Sequence, residues 1–160
     1  MKLIIPGDKS ISHRALMLAS LAHGTSKIIN IAPGLDVSST IDALAACGID
    51  LEIKKKTVQV GGKGGVFSDP VGDLECGNSG TTARLIMGLL AGRGVKARLV
   101  GDESLSRRPM NRIVLPLQDL GARIHITARA TLPLTIHPAN LDTLNYDMPI
   151  SSGQVKSALM

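Results

Sequence analysis

The sequence predicts a mixed α/β fold, of α+β character, built from a repeated unit. Three observations carry this: self-similarity at a fixed offset, helix-like segments that begin at the same point of each copy, and pairs of short alternating segments that close each copy. Gly7 to Ala22 overlays Gly77 to Gly92, pairing Gly7 with Gly77, Ser12 with Thr82, Arg14 with Arg84 and Met17 with Met87 at an offset of 70. Downstream, Leu44, Gly48, Leu51 and Ile53 fall on Leu117, Gly121, Ile124 and Ile126 at an offset of 73. Ala15-Leu16-Met17 then recurs as Ala158-Leu159-Met160 at 143, the sum of the two. The division is two units, about 7–76 and 77–147, with the start of a third at 148–160.

Each element follows from its punctuation. Ser10 or Ser12 can cap a helix running to about Ala22 and ended by Gly24, after which Ser26 to Ile31 alternates as a strand. Asp36 or Ser38 opens a second helix that Gly48 closes, with Leu44 and Ala45 on its buried side. Two strands follow, Ile49 to Lys54 and Thr57 to Val60, ending in a Gly-rich turn from Gly61 to Gly65. The second unit repeats the order: helix Gly80 to Ala91, strand Lys96 to Val100, helix Pro109 to Leu120, and strands Ala122 to Thr127 and Leu132 to His137. Pro109 suits a first helical turn, where its missing N–H costs nothing, whereas Pro116 inside the same helix is expected to bend it.

Composition narrows the function classes. With 160 residues, 44% of them hydrophobic, the chain can bury a normal core and reads as one globular domain. Phe67 and Tyr146 are its only aromatic residues. That argues against single-stranded nucleic acid as a partner, because base stacking needs aromatic platforms. The net charge of +5 is spread along the chain, a field suited to acidic metabolites. Lys54-Lys55-Lys56 reads as a solvated strand end. Cys47 and Cys76 lack metal-ligand or disulfide-framework spacing and are expected to be small, buried and reduced. No His pair has metalloprotease spacing; His125 and His137 read as strand residues and His13 as a residue on a helix surface. No metal is expected. The apolar start is interrupted by Pro6-Gly7, too short for a signal peptide or membrane span, so a cytoplasmic protein without membrane contact is the expectation.

Helices that start at the same point of each repeat direct their N-termini to one region. Free N–H groups and the positive end of the helix dipole favour phosphate or carboxylate there. Pro6-Gly-Asp-Lys-Ser10 supplies a tight turn, the Lys9 ammonium and the Ser10 hydroxyl, with Arg14 one turn further on. Gly77-Asn78-Ser79-Gly80-Thr81 combines close backbone approach with amide and hydroxyl donors. Ser151-Ser152-Gly153-Gln154 is a third donor-rich start, with Lys156 just inside. Any one of these alone reads as ordinary capping. Three in register, with cations beside two of them, point to anion binding. Gly7-Asp-Lys-Ser10 lacks the GxxxxGK[ST] spacing of a nucleotide-binding P-loop. Between strand and helix of the second unit, Arg108 stands before Pro109 at another helix mouth, where a guanidinium can grip a carboxylate or phosphate with two bonds; Arg107 either shares that task or faces solvent.

Pro6-Gly-Asp-Lys-Ser-Ile-Ser-His-Arg14, Gly77-Asn-Ser-Gly-Thr-Thr-Ala-Arg84, Gly101-Asp-Glu-Ser-Leu-Ser-Arg-Arg-Pro109 and Ser152-Gly-Gln-Val-Lys-Ser157 resemble, in order, the signatures of the 5-enolpyruvylshikimate-3-phosphate synthase family. The resemblance runs through essentially the whole chain and covers about the first third of such an enzyme. The sister family, the UDP-N-acetylglucosamine enolpyruvyl transferases, carries a Cys-bearing loop where this chain has Ser104 to Pro109, so the shikimate branch is favoured. The resemblance implies repeated βαβαββ units of the enolpyruvyl transferase type, an inside-out α/β barrel, in two domains that close over a cleft. It implies transfer of the enolpyruvyl group of phosphoenolpyruvate to the 5-hydroxyl of shikimate 3-phosphate, with release of phosphate and without a cofactor.

Carried over by position, Lys9 is the catalytic candidate and contacts phosphoenolpyruvate, while Ser10 and Arg14 hold shikimate 3-phosphate. Asn78, Gly80 and Arg108 line the phosphoenolpyruvate side, Ser152 and Gln154 bind the shikimate phosphate and ring, and Thr81 is a further substrate-binding residue. Gly153 stands where some relatives have Ser, which removes one hydroxyl. Gly80 implies room beside phosphoenolpyruvate and, with it, sensitivity to glyphosate. The family's key carboxylates lie in the second domain, expected to be absent from this chain, so the chain alone is expected to be inactive. The other class open to the sequence is a non-catalytic anion- or metabolite-binding domain of the same architecture. An unfinished third unit also predicts an exposed apolar edge.

Overall fold

The computed structural model describes residues 5–143, 145–149 and 151–160; Ile150, near the start of the third unit, lies outside them. Helix α1, Lys9–Leu21, is capped by Asp8, whose carboxylate accepts the Ile11 N–H at 2.7 Å. The cap is therefore Asp8 and not Ser10 or Ser12: the Ser12 hydroxyl turns back to donate to the Asp8 carbonyl at 2.7 Å and accepts the Ala32 N–H at 2.9 Å. Strand β1, His23–Ile29, begins directly after the helix, three residues before the expected start, because Gly24 passes through the left-handed region at φ 78° and stays within the ladder.

Helix α2, Leu35–Ala46, buries Val37, Thr40, Ile41, Ala43 and Leu44. Ala43 takes the buried place expected of Ala45, which faces solvent. Strands β2, Asp50–Lys54, and β3, Thr57–Lys63, complete an antiparallel sheet in the order β1-β3-β2. Gly61 and Gly62 pair with Thr25 and Gly24 inside the ladder. They are not the expected turn, because α1 lies directly on this strand: a Cβ on Gly62 would collide with the carbonyls of Ala19 and Ala22.

Strand β4, Asp73–Glu75, was not expected; with three residues it is too short to show a period. Helix α3, Gly80–Gly92, is capped by Ser79 and is the most deeply buried helix. Strand β5, Ala97–Val100, pairs in parallel with β4, and a single 3₁₀ turn covers Leu105–Arg107. Helix α4, Asn111–Asp119, starts two residues after Pro109, with Met110 as its N-cap residue and the Met110 N–H donating to the Ala130 carbonyl at 2.8 Å. The helix runs on past a buried Pro116 to Asp119. Strands β6, Arg123–Ile126, and β7, Leu134–His137, give a second sheet in the order β4-β5-β7-β6. Helix α5, Gly153–Leu159, closes the chain, capped by Ser152.

The order β1-β3-β2 of the first sheet recurs as β5-β7-β6 in the second, each antiparallel throughout. The helices meet in the middle: α3 packs against α1, α2, α4, α5 and β7, while the outer faces of both sheets are mostly polar, with Ile29 exposed at the end of β1. This is the inside-out arrangement of the expected fold class. Leu16, Leu44, Ile86, Leu90, Leu99 and Leu134 are among the fully buried residues that fill it, doing the work large aromatics do elsewhere. Gly88 lets α3 and α5 touch, since a Cβ there would strike the Ala158 carbonyl. An open apolar groove lies between α1, α3, α4 and α5, lined by Leu18, Leu21, Leu89, Leu120 and Met160. No helix among the described residues is long and apolar enough to cross a membrane.

Candidate functional site

The N-termini of α1, α3 and α5 are brought together by hydrogen bonds between equivalent positions of the repeats. Arg14 Nε donates to Ser157 Oγ at 2.9 Å across an interval of 143 residues, and Gln154 Nε2 donates to Thr81 Oγ1 at 3.2 Å across 73. These are the same offsets that relate the repeats in sequence. Equivalent residues thus face one another around a common centre, as repeated helices converging on one point must.

Around α1, Arg14 is bonded to the protein itself. Its Nη1 donates to the Ser10 carbonyl at 3.1 Å and its Nη2 to the Gly153 carbonyl at 3.1 Å, so the guanidinium ties the first helix start to the third. Ser10 is exposed at the mouth of the helix, and Ser152 caps α5 by accepting the Val155 N–H at 3.4 Å. Lys9 is 54% exposed and forms an ion pair with Asp36 in the first turn of α2. Asp36 is a partner of Lys9 that sequence reasoning missed, because it lies 27 positions away and is joined to Lys9 only by the packing of α1 on α2.

The start of α3 faces a second constellation. Asn78 Nδ2 donates to Asp102 Oδ2 at 2.6 Å, and Asn78 Oδ1 accepts from Arg108 Nη2 at 2.7 Å. Arg108 also donates to Ser104 Oγ at 3.2 Å. Asp102 accepts the Leu105 N–H at 2.7 Å; this bond first, and Asn78 second, hold its carboxyl below the usual carboxylate range. The adjacent arginines divide their tasks: Arg108 turns inward to Asn78, whereas Arg107 pairs with Glu103 at the surface.

Gly80 leaves the space between two guanidinium groups open. A Cβ there would stand 2.6 Å from Arg84 Nη1 and 3.5 Å from Arg108 Nη1. Arg84 was visible in the sequence only as the repeat partner of Arg14, and it is central here. It donates to the Gly80 carbonyl and to Gln154 Oε1, each at 3.4 Å, while its Nε is buried without a partner. Burial lowers its pKa, with the neighbouring Arg112 and Arg108 adding repulsion. No carboxylate pairs with Arg84 among the described residues, so cations concentrate beside a helix N-terminus.

His13 does not lie on a helix surface: it is fully buried between α1 and α2, with Nδ1 2.6 Å from Thr40 Oγ1. Its position one residue before Arg14 gave no sign of this, because the buried face of α1 is set by the approach of α2. Burial first and Lys9 second push its pKa down to about 4. Burial likewise pushes the thiols of Cys47 and Cys76 up to about 11 and about 12, as suits inert core residues. His125 and His137 meet at a tilted angle of 57° on the outer face of the second sheet, ring centroids 4.7 Å apart. No group of three or more His, Cys, Asp or Glu that could hold a metal occurs among the described residues.

Comparison with known proteins agrees with this arrangement. A sequence model of the family described as EPSP synthase (3-phosphoshikimate 1-carboxyvinyltransferase) matches residues 1–160. A 3-phosphoshikimate 1-carboxyvinyltransferase of Geobacillus kaustophilus is 48% identical over 158 residues, covering 98% of this chain and 37% of the relative. One from Thermoanaerobacter pseudethanolicus is 46% identical over 156 residues, with the same coverage of 98% and 37%. Among solved structures, an EPSP synthase from Acinetobacter baumannii superimposes with a TM-score of 0.95 at 38% identity, covering 99% of this chain and 37% of that one. The chain thus spans 37% of the length of the relatives it matches.

Proposed function

This chain belongs to the EPSP synthase family, and from that membership we propose that it forms part of one wall of a cleft for enolpyruvyl transfer from phosphoenolpyruvate to shikimate 3-phosphate. The observation that supports this most is the convergence of three helix N-termini on a region rich in Arg and Lys, with Arg14, Arg84 and Arg108 all bonded to backbone or neutral side chains. Both substrates are anions, so their phosphates and carboxylate repel as they approach. Cations held in place beforehand offset that repulsion with little reorganisation.

In this reading Ser10, Arg14, Ser152 and Gln154 receive shikimate 3-phosphate, at the junction of α1 and α5. Asn78, Gly80, Thr81 and Arg108 receive phosphoenolpyruvate at the start of α3. Lys9 lies between, its ammonium shared between Asp36 and the incoming anion. The 5-hydroxyl oxygen bonds to C2 of phosphoenolpyruvate as C3 gains a proton and the hydroxyl loses one. Elimination then breaks the bond to phosphate and removes a proton from C3, so the enol ether and inorganic phosphate leave in balance. Lys9 is the one candidate here for moving a proton. The remaining acid and base belong to a second domain, the partner that completes the cleft, so this chain alone is inactive. The work is that of a cytoplasmic enzyme of aromatic amino acid biosynthesis using no cofactor, and the open space at Gly80 makes it sensitive to glyphosate.

A backbone amide NMR titration of the chain with shikimate 3-phosphate tests this. Saturable shifts at Lys9, Ser10, Arg14, Ser152 and Gln154, absent when shikimate alone is added, are the expected result. A folded chain that shows no shifts there would count against the assignment of the site. Release of phosphate from the two substrates at enzyme-like rates by the pure chain would refute its inactivity.

A further inference from the structure

Between the helix starts, and used by none of the steps above, lies a chain of buried hydrogen bonds that crosses three elements. His13 Nδ1 on α1 is 2.6 Å from Thr40 Oγ1 on α2, and Thr40 Oγ1 is 2.7 Å from Thr82 Oγ1 on α3. The Thr82 hydroxyl reaches the Asp36 carbonyl at 3.1 Å and Ser79 Oγ at 2.7 Å, and Ser79 Oγ accepts the Thr82 N–H at 3.1 Å. All four side chains are buried: His13, Thr40 and Thr82 at 0% exposure and Ser79 at 1%.

The order of the protons follows from the end groups. A backbone carbonyl only accepts, so the single hydroxyl hydrogen of Thr82 is used on the side of Asp36 and Ser79. Thr82 therefore accepts from Thr40. Thr40 has then spent its own hydrogen and must accept from His13, so the proton of the neutral imidazole sits on Nδ1. This leaves Nε2 as a bare lone pair, and no hydrogen-bond partner stands beside it.

The two branches at the Thr82 end of this chain, opposite His13, matter for function. Asp36, whose carbonyl ends one branch, holds the Lys9 ammonium through its carboxylate. Ser79, which ends the other, caps α3 immediately between Asn78 and Gly80. We propose that His13, Thr40 and Thr82 form a proton-ordered relay that sets the α3 N-terminus against the Lys9–Asp36 pair, making His13 a positioning residue for the anion site. The inference deepens the functional reading above and rests on it for the identity of the ligand. A buried chain of hydrogen bonds specifies one arrangement of the elements it joins, which apolar packing alone does less sharply; His13 Nε2 is its one open position.

The test compares the wild-type chain with Thr40→Val, which removes the middle link, and Thr40→Ser, which keeps the hydroxyl. Nitrogen-15 NMR of the His13 ring reads the tautomer directly: the relay requires Nδ1–H in the wild type and in Thr40→Ser. Amide hydrogen exchange reads the positioning, with Thr82 and Ala83 expected to exchange about tenfold faster in Thr40→Val and within about twofold of wild type in Thr40→Ser. Titration with phosphoenolpyruvate, followed at Asn78, Gly80 and Lys9, should show weaker binding by about five- to tenfold in Thr40→Val and recovery in Thr40→Ser. An Nε2–H tautomer in the wild type, or unchanged exchange in Thr40→Val, overturns the relay. Unchanged phosphoenolpyruvate binding in Thr40→Val with altered exchange overturns its positioning role. Absence of any phosphoenolpyruvate shift in the wild type counts against the functional reading instead, and the relay is then decided by tautomer and exchange.

Discussion

Acidification should destabilise this fold through His13 before it does so through the carboxylates. In the folded chain the imidazole is buried between α1 and α2 and stays neutral down to about pH 4, burial being the main cause, Lys9 and Arg14 adding to it and Asp36 opposing them. In the unfolded chain a His titrates near 6.5. Between those values the unfolded state binds more protons, so stability falls as pH falls through the window from 6.5 to 4 and is unaffected above it. A shift from 6.5 to about 4 corresponds to about 3 kcal/mol at roughly 1.4 kcal/mol per pH unit. With a urea dependence of about 2 kcal/mol per molar, the unfolding midpoint should drop by about 1.5 M across the window. The assay is urea unfolding at half-unit steps from pH 7 to pH 4, on the wild type and on His13→Asn, which keeps a donor for Thr40 but cannot titrate. The wild type should lose stability across the window while His13→Asn stays nearly level. An equal slope in both would refute the assignment of the acid sensitivity to His13, and a flat wild type would refute the burial argument itself.

Gly80→Ala should fold normally but crowd Arg84 and Arg108, since the added Cβ stands 2.6 Å and 3.5 Å from their Nη1 atoms; phosphoenolpyruvate binding should weaken by about tenfold and shikimate 3-phosphate binding by less than about threefold, read by parallel titrations. Gly88→Ala should push α5 off α3 at Ala158 and cost about 1–3 kcal/mol in urea unfolding, with faster amide exchange in α5; unchanged stability would show that α5 is not seated as described. Cys47 and Cys76, both fully buried with thiols pushed up to about 11 and about 12, should react with a thiol reagent at pH 8 at least about a hundredfold more slowly in the folded chain than in urea. Lys9→Met should remove the ion pair with Asp36 at little cost in stability, about 0–1 kcal/mol for so exposed a pair, yet weaken phosphoenolpyruvate binding, read by the shifts at Asn78 and Gly80.

The sequence by itself determined the elements and the repeat. Period, caps and Gly punctuation are local properties, so α1, α3, α5 and the paired strands were legible, as were the three helix starts and their cations. It also told Arg14 and Arg84 apart from other basic residues, through their equivalence in the repeat. What it misjudged depended on contacts between distant elements. Gly61 and Gly62 read as a turn but lie in a strand; the carbonyls of Ala19 and Ala22, which forbid a side chain at Gly62, belong to a helix that sequence alone does not place there. His13 read as a surface residue but is buried, because α2 arrives with Thr40 from 27 positions away. Asp36 as the partner of Lys9, Asp102 behind Asn78, and the choice of Arg108 over Arg107 for the inner position were likewise decided only by tertiary structure. A carboxylate or hydroxyl carries no local sign of the group it will meet. That is set when packing brings helices from different repeats within hydrogen-bond distance, and the offsets of 73 and 143 between bonded residues measure how far along the chain that information had to come.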